Sequence, residues 1–258
     1  MITRIFQKDS YVQKALKEGL PSRSSFKLKE INETHYPSLV YKHEKKRKGR
    51  VLSKQKRLIQ PDMLVLDLGA CPGGWSLYAS TILKPNLGGS LVAVDLLPLD
   101  ETLQSQHSDV YARIKDNLQS NFQFIQGDFT DSHTREQIED AFSSIHSKPN
   151  LIISDMAANF GGDSLTDALR TIDLCEQALA FGCGAECFDE SYSATKDNRS
   201  GVLNRGSNFL CKYFKCGKEN EADLFDAAKR SFRSVHTIKP KASRRESSEQ
   251  YLLALDYK

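Results

Sequence analysis

The chain has 258 residues, 39% hydrophobic and 27% charged, a composition that fits one ordinary globular domain and excludes a disordered, collagen-like or coiled-coil chain. No apolar run approaches the roughly 18 residues of a membrane span, residues 1–10 hold no stretch of signal-peptide type, and six unevenly spread cysteines do not make a disulfide scaffold, so an intracellular, reducing setting is expected. The formal charge of +3 hides a split: residues 1–60 carry 16 Lys/Arg against 5 Asp/Glu, and residues 61–258 carry 20 against 28.

Residues 1–60 therefore read as a basic N-terminal arm with one helix at 24–35, belonging to the same domain as the remainder. Nine of the 16 residues at 42–57 are Lys or Arg. Such a run either binds the phosphates of a polyanion or extends as a solvated tail. From residue 61 to 258, short apolar runs alternate with amphipathic stretches, the pattern of a mostly parallel sheet with helices on both faces. Seven strands are expected, at 63–68, 90–95, 122–126, 151–154, 207–214, 234–239 and 250–256. Helices are expected at 75–83, 109–118, 135–144, 163–180 and 221–232. Two irregular stretches, 100–119 and 186–206, read as insertions. The second is rich in Asp, Ser, Asn and Gly and is expected to be disordered or loosely packed.

The strand at 63–68 runs into Asp67-Leu68-Gly69-Ala70-Cys71-Pro72-Gly73-Gly74-Trp75 and then a helix. Small residues there let the backbone approach a ligand, and the helix start directs free N–H groups at it. The spacing is not G-x-G-x-x-G, no Lys or Arg lies in the turn to meet a pyrophosphate, and no G-K-[ST] follows. Asp95 ends the next strand about 20 residues on, where a carboxylate can accept from both hydroxyls of a ribose. Asp128 and Asp155 end the third and fourth strands. Any one of these aspartates can be a helix cap or turn residue, but Asp67, Asp95, Asp128 and Asp155 in order place acidic groups along one rim of the sheet. That rim suits a nucleoside-bearing cofactor with a positive centre, and S-adenosyl-L-methionine fits the description.

With these pieces in place the chain resembles the FtsJ-type ribosomal RNA 2′-O-ribose methyltransferases. The resemblance rests on Ser22-Arg23-Ser24-Ser25-Phe26-Lys27-Leu28, the turn from Leu66 to Ser76, Val94-Asp95-Leu96-Leu97-Pro98, Gln126-Gly127-Asp128-Phe129, Ser154-Asp155-Met156-Ala157, Cys211-Lys212-Tyr213-Phe214 and Lys239-Pro240-Lys241-Ala242-Ser243-Arg244. It implies a Rossmann-like class I S-adenosylmethionine-dependent methyltransferase sheet whose last strand is antiparallel. It also implies a catalytic tetrad of Lys27, Asp155, Lys212 and Glu249. For the cofactor it implies Gly73, Gly74 and Trp75 in the turn, Asp95 at the ribose, Asp128 at the adenine amino group and Asp155 near the methionine end; no metal is expected.

Two departures stand out. Cys71 and Ala158 occupy places where the family often has Ala and Pro, and the second leaves the shape of the loop to Gly162 open. The implied reaction needs these residue types, because a ribose 2′-hydroxyl is a poor nucleophile until it loses its proton as it attacks the methyl carbon in line with the departing sulfur. Lys212 is the candidate to take or steer that proton. Asp155 and Glu249 would orient the two lysines, and Lys27 would position the ribose or an adjacent phosphate.

The expected partner is large-subunit ribosomal RNA or a pre-ribosomal particle. Its phosphates would be met by Arg23, Lys27, Lys29, the 42–57 arm, Lys239, Lys241, Arg244 and Arg245. Within the family, transfer-RNA anticodon loops and messenger-RNA caps are the alternatives, and a non-catalytic RNA-binding assembly factor is the competing class. Ile172-Asp173-Leu174-Cys175 and residues 240–251 resemble fungal mitochondrial members that act on a uridine, which implies a mitochondrial matrix location. A zinc site can be drawn from Cys183-x-x-x-Cys187 and Cys211-x-x-x-x-Cys216, but neither pair has C-x-x-C spacing.

Overall fold

The computed structural model describes residues 10–40, 57–99, 109–145, 147–159, 161–188 and 200–258. Along the chain these form α1 (Ser10–Lys17), α2 (Ser24–Glu30) continued by a π-helical turn (Ile31–His35), β1 (Leu64–Leu68), α3 (Gly74–Ser80), β2 (Ser90–Asp95) and α4 (Val110–Leu118). There follow β3 (Phe122–Gln126), α5 (Ser132–Ile145), β4 (Leu151–Ser154), α6 (Ser164–Cys183), β5 (Asn208–Phe214), α7 (Lys218–Ser231), β6 (Phe232–Ile238) and β7 (Glu249–Tyr257). All seven expected strands are present with ends within two residues of expectation. The chief local differences are that α3 ends three residues early, α5 and α7 each start three residues early, α6 runs three residues further, and α1 is additional.

The strands make one sheet in the order β3-β2-β1-β4-β5-β7-β6. β1 to β5 pair in parallel, and β7 runs antiparallel to both β5 and β6. β1, with the sequence LVLDL, is buried at every position, as expected of a central parallel strand covered on both faces. Alternation divides the core. Leu64, Leu66, Leu68, Phe209, Cys211 and Leu252 pack with residues of α5, α6 and α7. Val65, Leu91, Ala93, Leu210, Tyr251 and Leu253 pack with α3, α4, and Leu28 and Ile31 of the N-terminal segment. From β1 the chain proceeds outward to β2 and β3, then returns to place β4 on the other side of β1. The strand order therefore reverses between β1 and β4, and the ligand crevice of an open α/β sheet lies outside the carboxyl ends of those two strands.

Three irregular stretches of the sequence meet the structure in three ways, and the helix expected at 109–118 is present. Of the arm at 42–57, all but Arg57 lies outside the described residues, while Leu58 and Ile59 just after it are fully buried. Of the stretch 100–119, the part from Val110 is the helix α4, and residues 100–108 lie outside the described residues. The stretch 186–206, expected to be loose, is packed at both described ends, 186–188 and 200–206. Cys187, Phe188, Val202 and Leu203 are buried, and the backbone N–H groups of Val202 and Leu203 donate to the carbonyls of Phe181 and Gly182. Isolated apolar residues hold these two described ends against the core.

α1 escapes a sequence reading because a helix of eight residues has no stability of its own. It forms by packing: Tyr11 lies 5.9 Å from Phe26 of α2 between ring centroids, Lys14 sits over the Phe26 ring, and Ala15 is buried with Phe26 and Ala242.

Candidate active site at the carboxyl ends of β1, β4 and β5

The site is built by strand register. Ser154 at the end of β4 pairs with Cys211 of β5, so Asp155 emerges level with Lys212. Across the antiparallel β5–β7 pair, Lys212 stands opposite Tyr251 and Phe214 opposite Glu249. Side chains two apart on a strand share a face. Lys212, Tyr251 and Glu249 thus converge on the α3 side of the sheet, above Leu210 and Leu253. Lys27 reaches them from α2, which is laid over the crevice by the burial of Phe26, Leu28 and Ile31.

The resulting contacts form a continuous string. Lys27 Nζ donates to Glu249 Oε2 at 2.7 Å. The Tyr251 hydroxyl donates to Asp155 Oδ1 at 2.9 Å and lies 3.4 Å from Glu249 Oε1. Lys212 Nζ lies 3.2 Å from Asp155 Oδ1 and also donates to the Asp155 carbonyl. The Ser243 hydroxyl donates to Glu249 Oε1 at 2.6 Å. Lys27, Lys212 and Glu249 are exposed by only 8%, 8% and 9%. Charges this buried are tolerated because each ammonium faces a carboxylate and each carboxylate accepts a further hydroxyl hydrogen bond. Burial, followed by the neighbouring Asp155 and Glu249 carboxylates, pushes the Tyr251 phenol well above its usual range, so it remains a donor.

All four tetrad residues are therefore brought together. Tyr251 and Ser243 complete the string and are not among the site residues expected from the sequence. Their signal in the sequence was weak, since Tyr251 reads as a core aromatic and Ser243 as a polar loop residue until β7 is paired with β5.

The glycine turn forms the other wall. The N–H groups of Gly69 and Ala70 both donate to the Val94 carbonyl, tying the turn to β2. Gly69 has φ +74°, and a Cβ there would stand 2.0 Å from Met156 Cγ. Gly73 has φ +91°, and its Cβ would meet Val110 at 2.6 Å. Both positions thus demand glycine. Asp95 accepts from the N–H of Cys71 at 2.8 Å through one carboxylate oxygen and from that of Leu97 at 2.9 Å through the other, which fixes its carboxylate beside the turn. Asp128 is exposed and accepts from the N–H and hydroxyl of Thr130 through Oδ1. Gly74 is covered by the hydroxyls of Ser22, Ser24 and Ser25, and Ser25 Oγ donates to its carbonyl. Trp75 is buried, its indole N–H donating to the Ser24 carbonyl and its ring 5.7 Å from that of Tyr251. Its side chain is committed to packing between α2 and β7.

Asp67 is 1% exposed. Its Oδ2 accepts the Ser76 hydroxyl at 2.6 Å, and its Oδ1 has no hydrogen-bond partner. Burial first, and then the carboxylates of Asp155 and Asp95, push its pKa up to about 7. Among the described residues no group of His, Cys, Asp and Glu could hold a metal ion. The thiol of Cys183 lies beside Cys187 and that of Cys211 beside Cys175, so the two cysteine pairs drawn from the sequence do not converge on one site.

The pattern of the FtsJ-like methyltransferases matches residues 20–257. The chain belongs to that family. Ribosomal RNA large subunit methyltransferase E of Rickettsia felis is 35% identical over 253 residues, covering 97% of this chain and 85% of the relative. The same-named protein of Rickettsia bellii is 36% identical with the same coverage. Among solved structures, one from Plasmodium falciparum described as a ribosomal RNA methyltransferase superposes with a TM-score of 0.51 at 16% identity, covering 87% of this chain and 98% of that one; at that identity it supports the fold alone. The sheet is thus the Rossmann-like class I methyltransferase sheet expected from the sequence, with helices on both faces.

The methyltransferase accommodates both of its departures from the family pattern. The Cys71 thiol donates to the Leu97 carbonyl, and burial plus the neighbouring Asp95 and Asp67 carboxylates push it up to about 12, so it stays a thiol. The loop after Ala158 is held without a proline. The Ala158 N–H donates to Thr171 Oγ1, and those of Gly161 and Gly162 donate to the two carboxylate oxygens of the buried Asp167.

Removing only the phenol oxygen in Tyr251→Phe should slow methyl transfer by roughly three- to ten-fold, the equivalent of about 1 kcal/mol, since the string loses a hydrogen bond while both ion pairs remain. The melting temperature should stay within a few degrees, as read by steady-state rates beside a thermal melt. Asp67 makes a prediction about the ligand-free protein. Its folded pKa is raised, so its contribution to stability is fully present below about 4 and is lost as pH rises through about 7. Urea unfolding between pH 4.5 and 8 should reveal a decline on the order of a few kcal/mol that Asp67→Asn flattens.

Proposed function

We propose that this methyltransferase transfers the methyl group of S-adenosyl-L-methionine to a ribose 2′-hydroxyl of large-subunit ribosomal RNA, at a uridine. The observation that carries the reading is the buried string of two lysines and two carboxylates joined through Tyr251. It stands at the reversal point of the sheet in a chain whose relatives are named for large-subunit ribosomal RNA.

The residues fit that cofactor. Gly73 and Gly74 leave backbone without side chains, Asp95 is held for ribose hydroxyls, and Asp128 has a carboxylate oxygen left for the adenine amino group. The acidic set of Asp67 and Asp155 favours a positive group, and Asp67 Oδ1 is buried with no partner. Trp75 would contribute by its backbone, since its indole is engaged elsewhere. The cofactor supplies a methyl group on a sulfonium, whose loss leaves a neutral thioether.

The protein's own residues do the rest. Lys212 Nζ, in its neutral amine form, takes the proton leaving the 2′-oxygen and becomes the ammonium, which Asp155 holds by its carboxylate and carbonyl. Lys27, held by Glu249, positions the ribose or the adjacent phosphate. Holding the two reactants in line removes most of the entropic barrier to a displacement that needs no covalent intermediate. Affinity for RNA comes from Lys29, Lys241, Arg244, Arg245 and the 42–57 arm through phosphate contacts, whereas Arg23, also expected there, is engaged by the Ala242 carbonyl. The 2′-hydroxyl itself distinguishes RNA from DNA.

Labelled methyl transfer to large-subunit rRNA from cells lacking the protein is the test. Wild type should label one uridine ribose, and Lys212→Ala should lower the rate by at least about 10³-fold with RNA binding kept. Labelling of tRNA alone, or full activity in Lys212→Ala, would overturn the reading. For location we propose the mitochondrial matrix, supported by the resemblance at residues 172–175 and 240–251. A tagged full-length chain should co-purify with mitochondria and resist protease until the inner membrane is opened, and a cytosolic distribution would refute it.

A further inference from the structure

The basic turn that follows β6 is not held by β6 and β7 alone. Glu30, at the end of α2, accepts the backbone N–H of Lys241 at 2.9 Å through Oε1 and that of Ala242 at 3.1 Å through Oε2. The Arg23 guanidinium, at the other end of the same helix, donates to the Ala242 carbonyl. His35 Nε2 lies 3.3 Å from Glu30 Oε1 and steadies the carboxylate from the following turn.

Inside the turn, the Ser243 N–H donates to the Pro240 carbonyl. Lys239, expected to meet phosphate, instead donates from Nζ to the carbonyls of Arg245 and Ser247 at 3.1 and 2.6 Å. Lys241, Arg244 and Arg245 are left on the exposed side, while Ser243 points the other way to Glu249. One short turn thus presents three cations outward and a tetrad contact inward, and its orientation is set by a helix more than two hundred residues away in sequence.

We infer that Glu30 is a positioning residue for RNA: by binding the backbone of the 240–243 turn through both carboxylate oxygens, it aims Lys241 and Arg244 at the phosphates next to the methylated ribose. This rests on the proposed action on RNA and adds a residue that touches neither substrate nor cofactor. A purely structural carboxylate would affect stability and all ligands alike. Glu30 instead sits where its loss frees the cations without disturbing the glycine turn, which is bonded to β2.

The experiment measures the dissociation constant for large-subunit rRNA by fluorescence anisotropy, with KM, kcat and S-adenosylmethionine affinity beside it, on the full chain. Glu30→Ala should weaken RNA binding by roughly five- to ten-fold, raise KM more than it lowers kcat, and leave cofactor affinity alone, since two charge-assisted hydrogen bonds are lost. Glu30→Gln, which keeps the shape and one acceptor, should lose less and guards against misfolding of the alanine variant. Lys241→Ala/Arg244→Ala should weaken binding by a similar factor, and adding Glu30→Ala to it should weaken it little further, because a helper without its cations has nothing to aim.

Unchanged RNA affinity in Glu30→Ala, or full additivity in the triple variant, would overturn the inference. Wild type that binds rRNA in this Glu30-dependent way without methylating it would leave the inference standing and sink the proposed function.

Discussion

Everything in the site depends on the register of three strands. β4 against β5 sets Asp155 beside Lys212, and β5 against β7 sets Lys212 opposite Tyr251 with Glu249 two residues on, over the same face. A slip of one residue in β7 would turn Tyr251 and Glu249 to the α6 side and bring Leu252 and Gln250 into the crevice. The apolar alternation of β7, with Tyr251 and Leu253 on one face and Leu252 and Ala254 on the other, is therefore as much a part of the chemistry as the charged groups. The antiparallel direction of β7 matters for the same reason, because it brings the beginning of that strand to the end of β5, where Lys212 and Phe214 lie.

Once register has gathered four charges in a buried place, their electrostatics restrict what else can surround them. An unpaired lysine at that depth would be neutralised or would destabilise the fold. Pairing of each ammonium with its own carboxylate, Lys27 with Glu249 and Lys212 with Asp155, leaves no net charge, and the Tyr251 and Ser243 hydroxyls supply the donors that two carboxylates still need. Asp67 lies just outside this compensation. It is fully buried and faces two other carboxylates, against which only the hydrogen bonding of Ser76 acts, so burial first and the two carboxylates second push its pKa up to about 7. An acid-lined crevice that disfavours its own negative charge is complementary to a cationic ligand.

The N-terminal segment and the last turn of the chain close over this crevice together. α2 contributes Lys27 to the string, covers Gly74 with serine hydroxyls, and grips the 240–243 turn through Glu30 and Arg23. α1 adds the Phe26 and Ala242 contact. The described part of the basic N-terminal region is thus a structural element of the site.

The sequence by itself determined a good deal. Seven apolar runs separated by amphipathic stretches specified a covered parallel sheet, since burial on two faces leaves strands no polar side. The glycine turn with ordered aspartates at the strand ends marked one rim of the sheet, and Lys27, Asp155, Lys212 and Glu249 were legible through the resemblance to the family, which pointed to each of them by its motif. Tyr251, Ser243 and Glu30 were not legible, and neither was the commitment of the Trp75 indole and the Lys239 ammonium to internal contacts. Each of these depends on which residues of β7, α2 and the last turn come to lie within hydrogen-bond reach. Only the tertiary structure decided that, because local pattern fixes the face and period of an element, whereas register and long-range docking are set by the packing of the whole core.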